Sequence, residues 1–135
     1  MVRYECTAEP IVMLKCHCRD CQRITGGPYV PAVIFPSQAF RVTRGEIQRF
    51  ATECEDGSQH VRGFCAKCGS RLTGAENSPQ GIIGVVASSL DDPSIFQARF
   101  ETFVEDAQAW DIMDPATRKF PGRFPRGAPH KAKPT

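Results

Sequence analysis

A chain of 135 residues is long enough for one domain with a modest core, and its apolar content of 41% and charged content of 24% are ordinary for a soluble globular protein. The formal net charge of +2 does not favour nucleic acid as a partner. No apolar run approaches the roughly 18 residues of a membrane span, and no signal peptide opens the chain. We therefore expect a cytoplasmic protein that binds neither membrane nor nucleic acid.

Short segments rich in β-branched and aromatic residues follow one another along the chain, with turns between them. The 11 glycines and 11 prolines favour such turns over long helices. The predicted strands cover residues 1–5, 29–35, 40–43, 47–50, 81–87 and 99–104. Residues 19–24 are predicted to form one or two helical turns, which Gly26, Gly27 and Pro28 end.

Strands 40–43 and 47–50 are predicted to pair as a hairpin, because the three residues between them form a turn around Gly45. Many short strands without a three-turn amphipathic helix indicate a mainly β protein, either a sandwich or an open barrel. We expect one domain over residues 1–122 and a loose basic tail over 123–135. The single tryptophan, Trp110, is expected in the core or in a pocket wall.

Seven cysteines are a high count for a cytosolic chain of this size. In a reducing compartment such clustering indicates metal binding or catalysis before disulfides. Cys16, Cys18 and Cys21 form C-x-C-x-x-C and supply three sulfurs from one short stretch, with no fourth ligand within it. Three protein ligands and one open position are typical of catalytic zinc.

A second cysteine motif, Cys65-x-x-Cys68 followed by Gly-Ser, is typical of a zinc knuckle. A structural zinc site needs a second pair of ligands, so this motif predicts half of such a site. Two other interpretations of the cysteines remain open. Cys18 and Cys21 alone could be a dithiol redox pair, and all five cysteines could bind purely structural zinc. Cys6 and Cys54 are expected to be a core thiol and a loop thiol.

The motifs together resemble the glutathione-dependent formaldehyde-activating enzyme family, which also includes centromere protein V. The motifs are V-R-Y-E at residues 2–5, C-H-C-R-D-C-Q-R-x-T-G at 16–26, R-G-E at 44–46, F-C-x-x-C-G-S at 64–70 and S-L-D-D-P at 89–93. The resemblance covers roughly residues 2–125. The two cysteine motifs, in this order and spacing, are its specific part.

The resemblance implies a β-tent fold built around zinc, with no long helices. It implies that Cys16, Cys18 and Cys21 hold a catalytic zinc and that Cys65 and Cys68 belong to a structural one. Members are similar to carbon–sulfur lyases that join formaldehyde to glutathione, giving S-hydroxymethylglutathione. The implied partners are therefore a small-molecule thiol such as glutathione and a small aldehyde.

Three further residues are predicted to surround the substrate or the metal. His17 could coordinate the metal, but we expect it to support the site as a neighbouring hydrogen-bond donor. Arg23 is predicted to hold a carboxylate of glutathione, with Thr25 beside it. These residues complete the set of candidates in the first cysteine motif.

The chain departs from the family pattern at its start. The family's N-terminal C-x-C-G pair would fall just before Met1, so the first strand is expected to be truncated in the given sequence. Either the true start lies upstream, or the protein lacks half of its structural zinc site. Two other functions remain open at this stage. The chain could be a non-catalytic zinc-binding module, or a related enzyme that acts on a different thiol or carbonyl substrate.

Overall fold

The structure is a computed structural model, which describes residues 1–54 and 57–123. The tail predicted for residues 123–135 therefore lies outside the described residues, apart from Arg123. Ten strands and one α-helix occur in the described part of the chain. They are β1 (Arg3–Cys6), β2 (Val12–Cys16), α1 (Arg19–Thr25), β3 (Val30–Pro36), β4 (Phe40–Arg44), β5 (Ile47–Glu53), β6 (Gln59–Cys65), β7 (Arg71–Gly74), β8 (Ile82–Val86), β9 (Phe100–Thr102) and β10 (Arg118–Lys119).

The strands form one large and one small sheet. The large sheet has the order β10-β9-β2-β3-β8-β7-β6-β5, and the small sheet contains only β1 and β4. All pairs are antiparallel except β2 with β9 and β9 with β10, which are parallel. The prediction of a mainly β protein without long helices is confirmed. No helix within the described ranges has the length and apolar character to cross a membrane.

The core lies between the small sheet and the centre of the large one. Val33 on β3 and Val85 on β8 are fully buried and directly paired. Tyr4 on β1 and Phe40 on β4 pack against this cluster from the small sheet, with their rings 5.2 Å apart. Burial of each such side chain contributes about 1.5–3 kcal/mol to the stability of the folded state. The core thus supports β3 and its neighbour β2, which ends at Cys16 of the first cysteine motif.

The one helix begins and ends where the local sequence predicts. At its start the Sγ atom of Cys18 accepts a hydrogen bond from the backbone N–H of Cys21, at 3.3 Å. It ends at Gly26, which has a φ of +70° that glycine adopts without strain. The hydroxyl of Thr25 donates to the carbonyl of Cys21, at 2.8 Å. The helix therefore fixes Cys18 and Cys21 on one turn.

The predicted hairpin between residues 40–43 and 47–50 is wrong. β4 pairs with β1 in the small sheet, whereas β5 pairs with β6 in the large sheet. The chain changes sheets at Gly45, where an added Cβ would lie 3.2 Å from the carbonyl oxygen of Met1. The N-terminal segment passes close to this turn, and β1, not β5, is the partner of β4.

The expectation that Trp110 lies in the core or a pocket wall is also wrong, because 68% of its surface is exposed. Trp110 lies in the segment between β9 and β10, where the side chain of the neighbouring Asp111 is only 10% exposed and Ile112 is 95% exposed. The side chain that points inwards here is the carboxylate of Asp111, which faces the buried imidazole of His17.

Candidate metal centre

Three cysteine sulfurs meet where β2 ends and α1 begins. The Sγ atoms of Cys16, Cys18 and Cys21 all lie within 4.8 Å of one another. Within residues 1–54 and 57–123, this is the one group of three or more His, Cys, Asp or Glu side chains with metal-ligand geometry. Cys16 is the last residue of β2, opposite Thr102 on β9, so the sheet fixes the position of the first sulfur.

The three thiols differ in how readily they ionise. Hydrogen bonds from the Cys18 and Cys21 thiols hold the pKa of Cys16 well below its ordinary value of 9.0, and the hydroxyl of Thr102 adds to this effect. The same hydrogen bonds, together with burial, raise the pKa of Cys18 and that of Cys21. Further ionisation requires positive charge inside the cluster, which a divalent cation provides.

The donor set fits zinc. Thiolate sulfurs bind Zn²⁺ at about 2.3 Å, which places two sulfurs of a tetrahedral site about 3.8 Å apart. The observed cluster already has its sulfurs within 4.8 Å without any change of backbone. Three protein donors leave one of four positions for another ligand. This group of cysteines can therefore hold a metal ion with an open coordination position.

His17 lies behind the cysteines and outside their group. Its ring is fully buried, and its Nε2 atom lies 2.8 Å from Oε1 of Glu101. Its Nδ1 atom lies 3.5 Å from Oδ2 of Asp111, and neither of these two buried atoms has a hydrogen-bond partner among the described residues. The imidazole thus stands between two carboxylates, which keeps it away from the position of a metal ligand.

Glu101 is a fully buried carboxylate on β9 and was not predicted from the sequence. The hydroxyl of Thr117 donates to its Oε2, and Lys119 Nζ lies 3.4 Å from the same oxygen. Burial alone would raise the pKa of Glu101, but the hydrogen bonds from Thr117 and His17 outweigh it and the pKa is lowered. The carboxylate is therefore ionised and anchors the imidazole of His17.

Gln22 holds the same segment from the helix side. Its amide Nε2 donates to the carbonyl of His17 at 2.6 Å and to the carbonyl of Asp106 at 2.9 Å. Its Oε1 accepts from the amide of Gln108, at 3.0 Å. The backbone between Cys16 and Cys18 is thereby tied to both the helix and the segment after β9.

The other two predicted substrate residues, Arg23 and Thr25, are both on α1 and have different partners. Arg23 is exposed over 65% of its side chain and forms an ion pair with Asp20, at 3.7 Å. Thr25 is half-buried and hydrogen-bonded to the carbonyl of Cys21. No contact between Arg23 and the cysteines is found in the described structure, and its role in substrate binding stays a prediction.

The second cysteine motif forms a tight turn after β6. The backbone N–H of Gly69 donates to the carbonyl of Cys65 at 2.7 Å, with Gly69 at a φ of +74°. Backbone N–H groups of Cys68, Val2 and Lys67 lower the pKa of Cys65 from 9.0 to about 7. Cys65 and Cys68 do not belong to a group of three or more potential ligands in the described residues.

Two comparisons with known proteins bear on this arrangement. The model of the family described as glutathione-dependent formaldehyde-activating enzyme matches residues 1–106. This chain belongs to the glutathione-dependent formaldehyde-activating enzyme family. The match spans both cysteine motifs, so the resemblance predicted from the sequence is confirmed. For a member of this family, the zinc-compatible cysteine group between β2 and α1 is the candidate functional centre.

A crystal structure of a Rhodobacter sphaeroides protein is similar in fold to this family member. It aligns with a TM-score of 0.52 and 18% sequence identity, covering 72% of this chain and 89% of that chain. At this identity the likeness shows the fold alone. No curated protein matches the chain.

Proposed function

We propose that this chain is a zinc-dependent enzyme of the carbon–sulfur lyase type, which joins a thiol such as glutathione to a small aldehyde. Membership of the formaldehyde-activating family supports this type of function in general terms. The observation that carries the proposal is the group of three sulfurs within 4.8 Å, because it provides ligands for a metal and leaves one position open.

In the proposed reaction a thiol adds across the carbonyl of the aldehyde. The sulfur forms a bond to the carbonyl carbon, the C=O π bond breaks, and the thiol proton ends on the oxygen. Zinc, when bound, favours the ionised form of a thiol that ligates it, and the thiolate is the nucleophile.

The residues around the cysteines keep the site in one geometry. The pairing of β2 with β9 fixes Cys16, and the first turn of α1 fixes Cys18 and Cys21. Glu101 and Gln22 hold the side chain and the carbonyl of His17 between the first two cysteines. This support limits movement of the sulfurs when a substrate enters.

The proposal is tested by the rate at which formaldehyde exchanges with glutathione, measured by NMR exchange spectroscopy. This measurement separates catalysis from the addition that also runs without an enzyme. Zinc-loaded protein is expected to raise the exchange rate above that of buffer, and Cys18→Ala to return it to the uncatalysed value. Cys54→Ala is the matched control, since Cys54 lies outside both cysteine motifs. A zinc-loaded protein that does not exceed buffer contradicts the proposal.

A further inference from the structure

A cavity of about 260 Å³ lies between the two cysteine motifs. Its polar lining comes from Thr25 at the end of α1, from Ser70 and Arg71 after the second motif, and from Ser88 and Ser89 after β8. One water molecule occupies about 30 Å³ of liquid volume, so the cavity has room for a group of several heavy atoms. Four hydroxyls and one guanidinium give it the chemistry of an anion site.

Arg71 is the unusual member of this lining. Its Nε atom is buried and has no hydrogen-bond partner among the described residues. Within residues 1–54 and 57–123, the guanidinium forms no ion pair with a carboxylate, and its contact is with the ring of Phe50, at 5.1 Å. A buried donor without a partner costs free energy that a bound acceptor would recover. The structure thus contains a cationic donor that a ligand can satisfy.

A second arginine strengthens the positive potential at this place. Arg62 on β6 is only 5% exposed and donates to the hydroxyl of Thr52, with no carboxylate partner in the described ranges. Burial, and then the charge of Arg62, lower the pKa of Arg71. The two guanidinium groups repel each other, and both are partly or fully buried. An anion bound beside them would offset this repulsion and stabilise both charges.

The cavity is adjacent to the metal centre. Thr25 lies one helical turn after Cys21 and donates to its carbonyl, at 2.8 Å. A molecule whose sulfur reaches the three cysteines can therefore place another of its groups beside Arg71.

We propose that Arg71, with the hydroxyls of Ser70 and Ser88, binds a carboxylate of the thiol substrate. The planar guanidinium offers paired N–H donors to the two oxygens of a carboxylate, and the two serine hydroxyls donate to the same oxygens. The assignment of this carboxylate to the thiol rests on the function proposed above. Arg71 replaces Arg23 as the best placed arginine, because Arg23 is exposed and already paired with Asp20.

The test uses S-methylglutathione, which has the carboxylates of glutathione but no thiol. Titration calorimetry with zinc-loaded wild type is expected to show binding, and Arg71→Met to weaken it at least tenfold. The matched control is Arg41→Met, which removes an exposed arginine that is paired with Glu5 outside the cavity and is expected to leave the affinity unchanged. Unchanged affinity in Arg71→Met, or no binding of S-methylglutathione to wild type, overturns the proposal.

A second variant covers the case in which Arg71→Met does not fold. Ser88 is exposed and lines the cavity, so Ser88→Asp adds a carboxylate that competes for Arg71 without a change in the core. Ser88→Asp is expected to lose S-methylglutathione binding, whereas Ser88→Asn is expected to keep most of it. Equal binding by Ser88→Asp and Ser88→Asn contradicts the carboxylate subsite.

Glutathione itself separates this proposal from the proposed function. If glutathione binds more tightly than S-methylglutathione and Arg71→Met weakens both, the carboxylate subsite and the thiol site are both supported. If the two ligands bind wild type equally and Arg71→Met weakens both, the subsite is supported and the thiol site is not. If glutathione binds more tightly and Arg71→Met changes neither affinity, the thiol site stands and the subsite is overturned.

Discussion

The Nε2 atom of His17 lies 2.8 Å from Oε1 of Glu101, and both side chains are fully buried. This contact joins residues 84 positions apart in the sequence. His17 lies between two of the proposed zinc ligands, and Glu101 is in turn bound by Thr117. The contact therefore connects the segment of the candidate metal centre to β9 and to the chain before β10.

Replacement of Glu101 by Gln is expected to lower the free energy of unfolding by about 1–3 kcal/mol, because buried donors on His17 and Thr117 lose a charged acceptor. Zinc affinity is expected to fall with it, since the backbone of His17 positions Cys16 and Cys18. Denaturant unfolding and a competitive zinc titration measure the two effects. Glu105→Gln is the control, because Glu105 is exposed. A Glu101→Gln protein as stable as this control contradicts the anchoring role.

The chain is expected to bind close to one zinc ion. Only the group of Cys16, Cys18 and Cys21 provides three potential ligands in the described residues, and Cys65 with Cys68 provides two. Elemental analysis of the purified protein measures the ratio. Cys18→Ala is expected to lose the zinc, whereas Cys68→Ala is expected to keep it. A ratio near two, with half lost in Cys68→Ala, would show that the second motif finds further ligands.

The free energy of unfolding is expected to decrease as the pH falls through a window set by the pKa of His60. Burial, followed by the charge of Arg62, lowers the pKa of His60 from 6.5 to about 4. Its Nε2 atom accepts from the backbone N–H of Ala75, at 3.1 Å, which requires the neutral ring. Between about pH 6.5 and 4 the unfolded chain binds the proton and the folded chain does not. The free energy of unfolding therefore decreases as the pH falls through this window.

The measurement compares wild type with His60→Gln, whose side-chain oxygen can still accept from Ala75. Denaturant midpoints between pH 7.5 and 4.5 are expected to fall more steeply for wild type than for the variant. The difference between the two curves is the test, because thiolate ligands of zinc also take up protons as the pH decreases. Parallel curves would show that His60 does not contribute.

Gly63 on β6 is expected to tolerate no side chain. An added Cβ would lie 2.3 Å from the Oγ1 atom of Thr73 and 2.5 Å from the Cγ2 atom of Ile47. Gly63→Ala is therefore expected to lower the free energy of unfolding by about 1–3 kcal/mol, as overpacking does in cores. Gly27→Ala is the control, since its nearest atom would be 3.9 Å away. Thermal or denaturant unfolding of both variants measures this difference in the free energy of unfolding.

Features that depend on neighbouring residues were predictable from the sequence. The helical turn of residues 19–24 is confirmed because its cap, Cys18, and its end, Gly26, lie beside it in the chain. The hairpin prediction at residues 40–50 is wrong because the turn has the local features of a hairpin while its two strands find other partners. The choice between β1 and β5 for β4 is made by packing against a core formed by β3 and β8.

The sequence by itself determined the candidate metal centre, because C-x-C-x-x-C brings three sulfurs within reach of one another across the end of β2 and the first turn of α1. It also determined the family, because the two cysteine motifs carry its specific signature. Only the tertiary structure decided what surrounds the centre. Glu101, Asp111 and Arg71 come from elements 50 or more residues away from Cys21, and no local spacing marks them. Their positions follow from the order of strands in the large sheet and from the segment after β9, which long-range packing alone creates.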